Sequence, residues 1–365
     1  MLKKLKKIKK PAIPHFLKQR PLFYIVLVSL FPGLGIFYFA GSFNTDFFSR
    51  TVEISSGIEE AETVKFSAHP LTGQTCENSK VRPIAVMLAE DTVTRPLSGI
   101  SKADLVVEMP VVKDGITRMM AVFACEEPTD IGSVRSSRDD FIPLAAAFDA
   151  IYAHWGGSHF ALDELNGGIT DNIDALINPF NAFFRKNTKI APHNGFSTYQ
   201  RLFSTAEKLG YRMETDFEGY PHIDGVPESN SGPVTVSVEY PRPVNVNYIY
   251  DPGENVYYRW RGGTPEYDSI DNSQVSASVL VVMKTQTRHL EGEYNDVDVT
   301  GEGEALIFQN GHAQKARWQK TASPLASKLK FLNTDGTEVP FVPGKIWIHL
   351  VDTYTSVLWG GDEFN

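Results

Sequence analysis

At 365 residues, with 42% hydrophobic and 22% charged side chains, the chain has room for one large or two ordinary domains, and its composition excludes disorder as the default state. The net charge of −9 is unevenly placed. Lys3, Lys4, Lys6, Lys7, Lys9, Lys10, Lys18 and Arg20 stand in the first twenty residues with no acid among them, and with those eight cations set aside the rest of the chain carries −17, which excludes nucleic acid as a partner because phosphate binding needs a dense basic surface.

After the basic tail, Leu22 to Gly41 has no charged side chain. About 20 residues at 1.5 Å each match the hydrocarbon core of a bilayer, and Pro32, Gly33 and Gly35 are tolerated in a membrane helix. Phe23, Tyr24, Phe37, Tyr38 and Phe39 suit the two interfaces. The segment therefore predicts a transmembrane helix over residues 22–41. The alternative is a cleaved signal peptide ending near Ala40-Gly41-Ser42. The Lys/Arg excess places residues 1–21 in the cytoplasm and the large acidic remainder outside it. Residues 42–68 read as a stalk, broken by Asn44-Thr45, Ser55-Ser56-Gly57 and Glu59-Glu60.

From residue 69 to about 215 short apolar runs predict strands at Pro83–Ala89, Leu105–Val112, Thr117–Ala124 and Ile151–Trp155. Helices are expected at Ser136–Phe148, Phe160–Leu165 and Thr198–Leu209, the last stopped by Gly210. Strands interleaved with helices make this an α/β layered domain. From about 230 to 358 the pattern turns mostly β. Strands are expected at Val234–Val238, Val244–Tyr250, Val256–Trp260, Val279–Met283, Ala305–Phe308, Lys315–Trp318, Lys328–Leu332 and Lys345–Val351. Asn310-Gly311 and Asp335-Gly336 supply hairpin turns. The fold class is α+β overall. The two cysteines, Cys76 and Cys125, are either a disulfide or a pair of buried thiols, and their separation fits no zinc pattern.

Residues 108–194 concentrate the side chains that carry chemistry. Arg135, Ser136 and Arg138 stand at the expected helix start, where free N–H groups attract anions and guanidiniums add bidentate contacts; a capped helix with internally paired arginines is the plainer reading. His154, Ser158 and His159 surround two glycines at a strand end, where ligands of α/β sheets usually sit. His154 or His193 could act as general base, with Glu108 or Asp114 as partner. A metal would want a third ligand, for which Asp163, Glu164 or His193 are available, but no metal site is assigned and no cofactor is named. Pro192 and Gly195 hold His193 and Asn194 on a stiff loop, and Arg118 follows Gly115 at a strand start. In the β half, Lys284, Arg288, His289 and Trp318 either line a cleft or belong to an ordinary sheet. Tyr248, Tyr250, Tyr257, Tyr258, Trp260 and Trp347 either stack sugars or fill the core. There is no Gly-x-Ser-x-Gly elbow, P-loop, His-Glu-x-x-His or dinucleotide fingerprint.

Several separated stretches carry a family resemblance. They are His69-Pro70-Leu71-Thr72-Gly73, Arg95 to Asp104, Gly115-Ile116-Thr117-Arg118, Ile131 to Arg138, Phe148 to Ser158, Ala191-Pro192-His193-Asn194, Trp318, and Pro343 to Ile348. Through them the chain resembles the YerB-like bacterial lipoproteins, which pair an N-terminal and a C-terminal domain of unknown function. The resemblance implies a bacterial cell-envelope protein of two domains and no particular reaction. Relatives look acylated on a cysteine after the signal; here no cysteine precedes Cys76, so a membrane helix takes the place of the lipid. Asp139-Asp140 also stands where relatives look aromatic or apolar.

The function expected from these features is binding of an anionic group on a wall polymer or peptide. Arg118, Arg135 and Arg138 would hold the charge, and Ser136, His154, Ser158, His193 and Asn194 would add hydrogen bonds. The alternative is a wall-acting hydrolase or transferase using His154 or His193, with the arginines stabilising negative charge.

Overall fold

The structure, a computed structural model, describes residues 66 to 364 apart from 78, 113–114, 224, 226–231 and 242–243. The basic tail, the helix expected over Leu22–Gly41 and nearly all of the stalk lie outside the described residues. The last three residues of the expected stalk, Phe66–Ala68, form a strand that pairs with Thr75–Glu77. No helix among the described residues is long and apolar enough to cross a membrane.

The apolar runs fold as strands buried along their length, including Ile84–Ala89, Thr117–Phe123 and Val279–Thr285. Ten strands join in one sheet, in the order Lys330–Leu332, His312–Lys320, Gly301–Gln309, Val279–Thr285, Ile346–Asp352, Leu105–Pro110, Thr117–Phe123, Ile84–Ala89, Ile151–His154 and Asn172–Asp174. Leu105–Pro110 lies parallel to Ile346–Asp352, so strands from both segments of the sequence are hydrogen-bonded side by side. Asn310 and Gly311, both at positive φ, make the two-residue turn between Gly301–Gln309 and His312–Lys320.

Because strand side chains alternate, the sheet has two distinct faces. On one, Val86, Val106, Ala121, Leu280 and Trp347 pack against Tyr199, Leu202 and Ala206 of the helix Tyr199–Leu209. Val236, Val246, Tyr248 and Tyr257, from a second, seven-stranded sheet, complete that layer. On the other face Ala85, Met87, Val107, Met120 and Tyr152 meet Ile142, Leu144 and Phe148, with Ala161 and Leu165 from the helix His159–Asn166. The chain is mostly strand with few helices, and the two-part layout expected from the sequence fits it. Tyr248, Tyr250, Tyr257 and Trp347 are core residues. Cys76 and Cys125 form a disulfide with Cα atoms 5.6 Å apart.

One helix is far shorter than the sequence suggests. Instead of Ser136–Phe148, only Ile142–Ala147 is α-helical, after a 3-10 turn at Asp139–Phe141. Pro143 explains the difference: deep in a longer helix it would lack a hydrogen bond and strike the carbonyl of residue 139, so it is accepted only in the first turn. Arg138 is extended, with φ −127° and ψ 148°. Arg135 to Ser137 is therefore a strand-like crossing that leads into Arg138, the extended N-cap of the 3-10 turn, and no part of the arginine segment is α-helical.

Asp140, in the 3-10 turn, is buried. Burial first, then like charge from Asp139, Asp296 and Asp298, pushes its carboxyl up to about 8. The folded chain thus keeps a proton that the unfolded chain releases near pH 4, so this contribution to stability is fully present below about pH 4 and is lost as pH rises through about 8. Asp140→Asn is expected to flatten the fall in urea midpoint between those pH values; an unchanged slope would contradict the assignment.

Candidate functional site

The two faces of the sheet treat charge differently. Glu108 points to the face covered by the second sheet and has no exposed surface. Its carboxylate accepts from Arg259 at 2.8 Å, Arg261 at 2.9 Å and the Thr117 hydroxyl at 2.7 Å. Burial alone would raise its pKa, but Arg259 and Arg261 hold it well below the usual carboxylate range. Arg259 also pairs with Glu266 at 2.7 Å and donates to the Tyr248 hydroxyl at 2.6 Å, and its guanidinium lies 4.1 Å from the Trp347 ring. Arg261 meets Glu90 at 2.5 Å, while Arg95 pairs with both Glu90 and Glu266. Burial lowers His349 to about 3, so it sits neutral beside Glu108. Three carboxylates and three guanidiniums balance. Glu108 is therefore a structural partner joining two sheets and has no oxygen free for general base work.

The opposite face carries Arg118, which is 4% exposed. It pairs with Ala89 in the ladder, near the carboxyl ends of the parallel strands Ile84–Ala89 and Ile151–His154. Among the described residues its guanidinium makes one hydrogen bond, from Nη1 to the carbonyl of Ser136 at 2.8 Å. Burial, then Arg138, then Arg135 depress its pKa, with Asp91 opposing them from a distance. Among the described residues no carboxylate comes within ion-pair range of Arg118 or Arg138.

The crossing segment brings the other two arginines to the same strand ends. Its backbone is fixed by Arg135 N–H to the Met87 carbonyl at 2.9 Å, Trp155 N–H to the Arg135 carbonyl at 3.0 Å, and Ser137 N–H to the Gly156 carbonyl at 2.8 Å. Arg135 reaches Asp91 only at 3.7 Å. Arg138 donates to the Ser137 carbonyl at 2.9 Å and lies 5.1 Å from the Tyr294 ring. The Nε groups of Arg135 and Arg138 and Nδ1 of His193 are buried without a hydrogen-bond partner. His193 Nδ1 lies 3.8 Å from the same Asp91 carboxylate. Tyr152 and Ser137 share a 2.8 Å hydroxyl contact beside Arg118 and Arg138. The result is a cluster of cationic and hydroxyl donors with too few acceptors.

Other expected site residues go elsewhere. His154 is fully buried, with Nδ1 2.9 Å from the Gly156 carbonyl and Nε2 3.2 Å from Asn172 Oδ1. Ser158 caps the helix His159–Asn166 by accepting from Ala161 N–H at 3.1 Å. Asn194 accepts from Arg185 at 2.6 Å. His159 is exposed and contacts Glu291 at 3.3 Å. Asp114 lies outside the described residues. In the β half, Arg288 is exposed and pairs with Asp296 and Asp298, His289 is exposed, Lys284 donates to the Thr355 carbonyl, and Trp318 is buried with its indole N–H on the Lys284 carbonyl. Among the described residues no three His, Cys, Asp or Glu side chains converge as metal ligands. Sequence reasoning missed Asp91, Tyr152 and Tyr294. The signal for Tyr152 was its parity with His154 on one strand; Tyr294 is distant in sequence and gave none.

Comparison with known proteins identifies the class. Residues 71–212 match the N-terminal domain, and residues 236–348 the C-terminal domain, of the family described as protein of unknown function DUF3048, and the chain belongs to that family. It is 31% identical over 296 residues to the protein named "Putative lipoprotein YerB" of Bacillus subtilis (strain 168), covering 80% of this chain and 88% of that protein. The crystal structure of the YerB protein from Bacillus subtilis superposes with a TM-score of 0.72 at 29% identity, covering 80% of this chain and all of that one.

Two substitutions distinguish the two faces. Glu108→Gln is expected to lower stability by about 3–5 kcal/mol in urea unfolding, because it leaves buried guanidiniums without their counter-charge. Arg118→Met should instead raise the ligand-free stability by on the order of 1–2 kcal/mol, since it removes a buried charge that has no carboxylate in ion-pair range. Equal destabilisation by both would mean that Arg118 is as well paired as Glu108.

Proposed function

We propose that this chain is a membrane-anchored, extracytoplasmic protein of the cell envelope that binds an anionic group, on a wall polymer or a peptide terminus, through Arg118, Arg135 and Arg138. The observation that carries the reading is a nearly inaccessible guanidinium flanked by two others, with one carbonyl as its hydrogen-bond partner. A phosphate or carboxylate supplies what the cluster lacks: acceptor oxygens for the two buried Nε groups and negative charge for three cations. The Tyr152 and Ser137 hydroxyls and His193 stand ready to fix the orientation of such a ligand. Anchoring is supported by the uncharged run Leu22–Gly41 behind a basic tail, and by a relative whose name is that of a lipoprotein.

Binding is favoured over turnover by one observation: His154 and Glu108, one of the acid–base pairs considered for a hydrolase, face opposite sides of the sheet, and both are fully engaged.

Titration calorimetry of the full chain in detergent against a solubilised wall digest tests the proposal. The Arg135→Ala/Arg138→Ala double variant should bind on the order of 100-fold more weakly, as the loss of two charged hydrogen bonds implies. Unchanged affinity would remove the proposal.

A further inference from the structure

The face bearing residues 175–209 has a composition opposite to the rest of the chain. From Ala175 to Ala206 there is no Asp or Glu, while Arg185, Lys186, Lys189 and Arg201 all fall there, within a body that is otherwise strongly acidic. Large apolar side chains project into solvent from the same stretch: Ile177 is 73% exposed, Ile190 86%, and Leu176 and Phe180 are also exposed. Val93, likewise exposed, joins them, because Lys189 donates to the adjoining Thr94 carbonyl at 2.6 Å. Arg201 donates to the Asn181 carbonyl at 2.8 Å, and the Lys208 ammonium lies 5.5 Å from the Phe180 ring. Arg185 covers the Trp155 ring at 4.3 Å. Asp130 neutralises Lys186, and Glu207 adjoins Lys208 in sequence. Arg185, Lys189 and Arg201 have no carboxylate within ion-pair range among the described residues.

These apolar groups come from separate short segments, Val93 and Phe180 from 3-10 turns and Leu176, Ile177 and Ile190 from the connections between elements. A groove would suit a helix or peptide. Projecting side chains bracketed by cations suit a bilayer interface, where apolar side chains enter the headgroup–acyl boundary and Lys and Arg reach the phosphates. We propose that this face docks on the anionic lipid surface of the membrane that carries the chain, with Val93, Leu176, Ile177, Phe180 and Ile190 as its apolar contacts. The proposal rests on the membrane anchoring put forward above. Residues 42–65, at roughly 3.5 Å each when extended, reach up to roughly 80 Å, so tether length does not prevent it. The same loops border the arginine cluster, since Thr94 and His193 adjoin Asp91 and Leu176 abuts Gly156. Docking therefore brings the anion site close to the membrane surface.

The test uses the full chain carrying Ile190→Cys labelled with an environment-sensitive dye, with no other free thiol among the described residues. It is reconstituted into vesicles of phosphatidylcholine alone or with phosphatidylglycerol added, each with and without brominated acyl chains. Flotation with the neutral vesicles reports the anchor. Dye emission should lose most of its intensity to bromine only when phosphatidylglycerol is present, and Arg201→Glu/Lys208→Glu should restore it. A label at Asp335→Cys should stay bright throughout. Chain that floats but keeps its Ile190 label bright in both vesicle types overturns docking and leaves the anchor standing. Chain that floats only with phosphatidylglycerol, and quenches there, supports docking while overturning the anchor. A dye response that follows protein concentration and not lipid composition means that a second copy covers this face, and overturns the proposal.

Discussion

A sheet covered on both faces leaves no water for a charged side chain on its central strands, so each such side chain must find its counter-charge on its own face. Glu108 and Arg118 stand on neighbouring strands and face opposite ways. For Glu108 the second sheet supplies Arg259 and Arg261, and Glu90, Glu266 and Arg95 close the balance. For Arg118 the covering segment supplies two more arginines. One face is completed architecture, and the other is the cluster for which we propose an anionic complement from outside the chain.

That difference also accounts for where the site lies. Arg118 stands at the beginning of an antiparallel strand, which sets it beside the carboxyl ends of its parallel neighbours, the place where sheets of this kind leave backbone groups and loops to meet a ligand. The segment Arg135–Arg138 is held there by backbone bonds to Met87, Trp155 and Gly156, so its guanidiniums are carried on a fixed frame and not on a free loop. Asp91 offsets part of the charge from ion-pair distance of Arg135 and His193 without reaching hydrogen-bond distance of either.

Much of the strand content was legible, because runs such as Ile84–Ala89 are apolar and bounded by Pro or charge, and because Asn310-Gly311 and the Thr198…Gly210 pair mark a hairpin and a helix. The pairing of Leu105–Pro110 with Ile346–Asp352 was not, since parallel partners so far apart leave no local signature. The helix over Ser136–Phe148 failed on Pro143, whose position limits the helix start. In the site, the three arginines were visible as a basic group in an acidic chain. The roles of Glu108 and His154 were not, because a strand-end charge or a His beside glycines looks the same whether its partners are protein or ligand. Arg259 and Arg261 share the parity of buried Tyr257, and two inward arginines on one strand signal that an acid must face them.

The most direct test of the central claim is anomalous diffraction from crystals grown in selenate, which substitutes for a tetrahedral anion. The account predicts a selenium peak within hydrogen-bond distance of at least two of the Arg118, Arg135 and Arg138 guanidiniums. An empty position there, with Arg118 turned onto Asp91 in direct ion-pair contact, would contradict it.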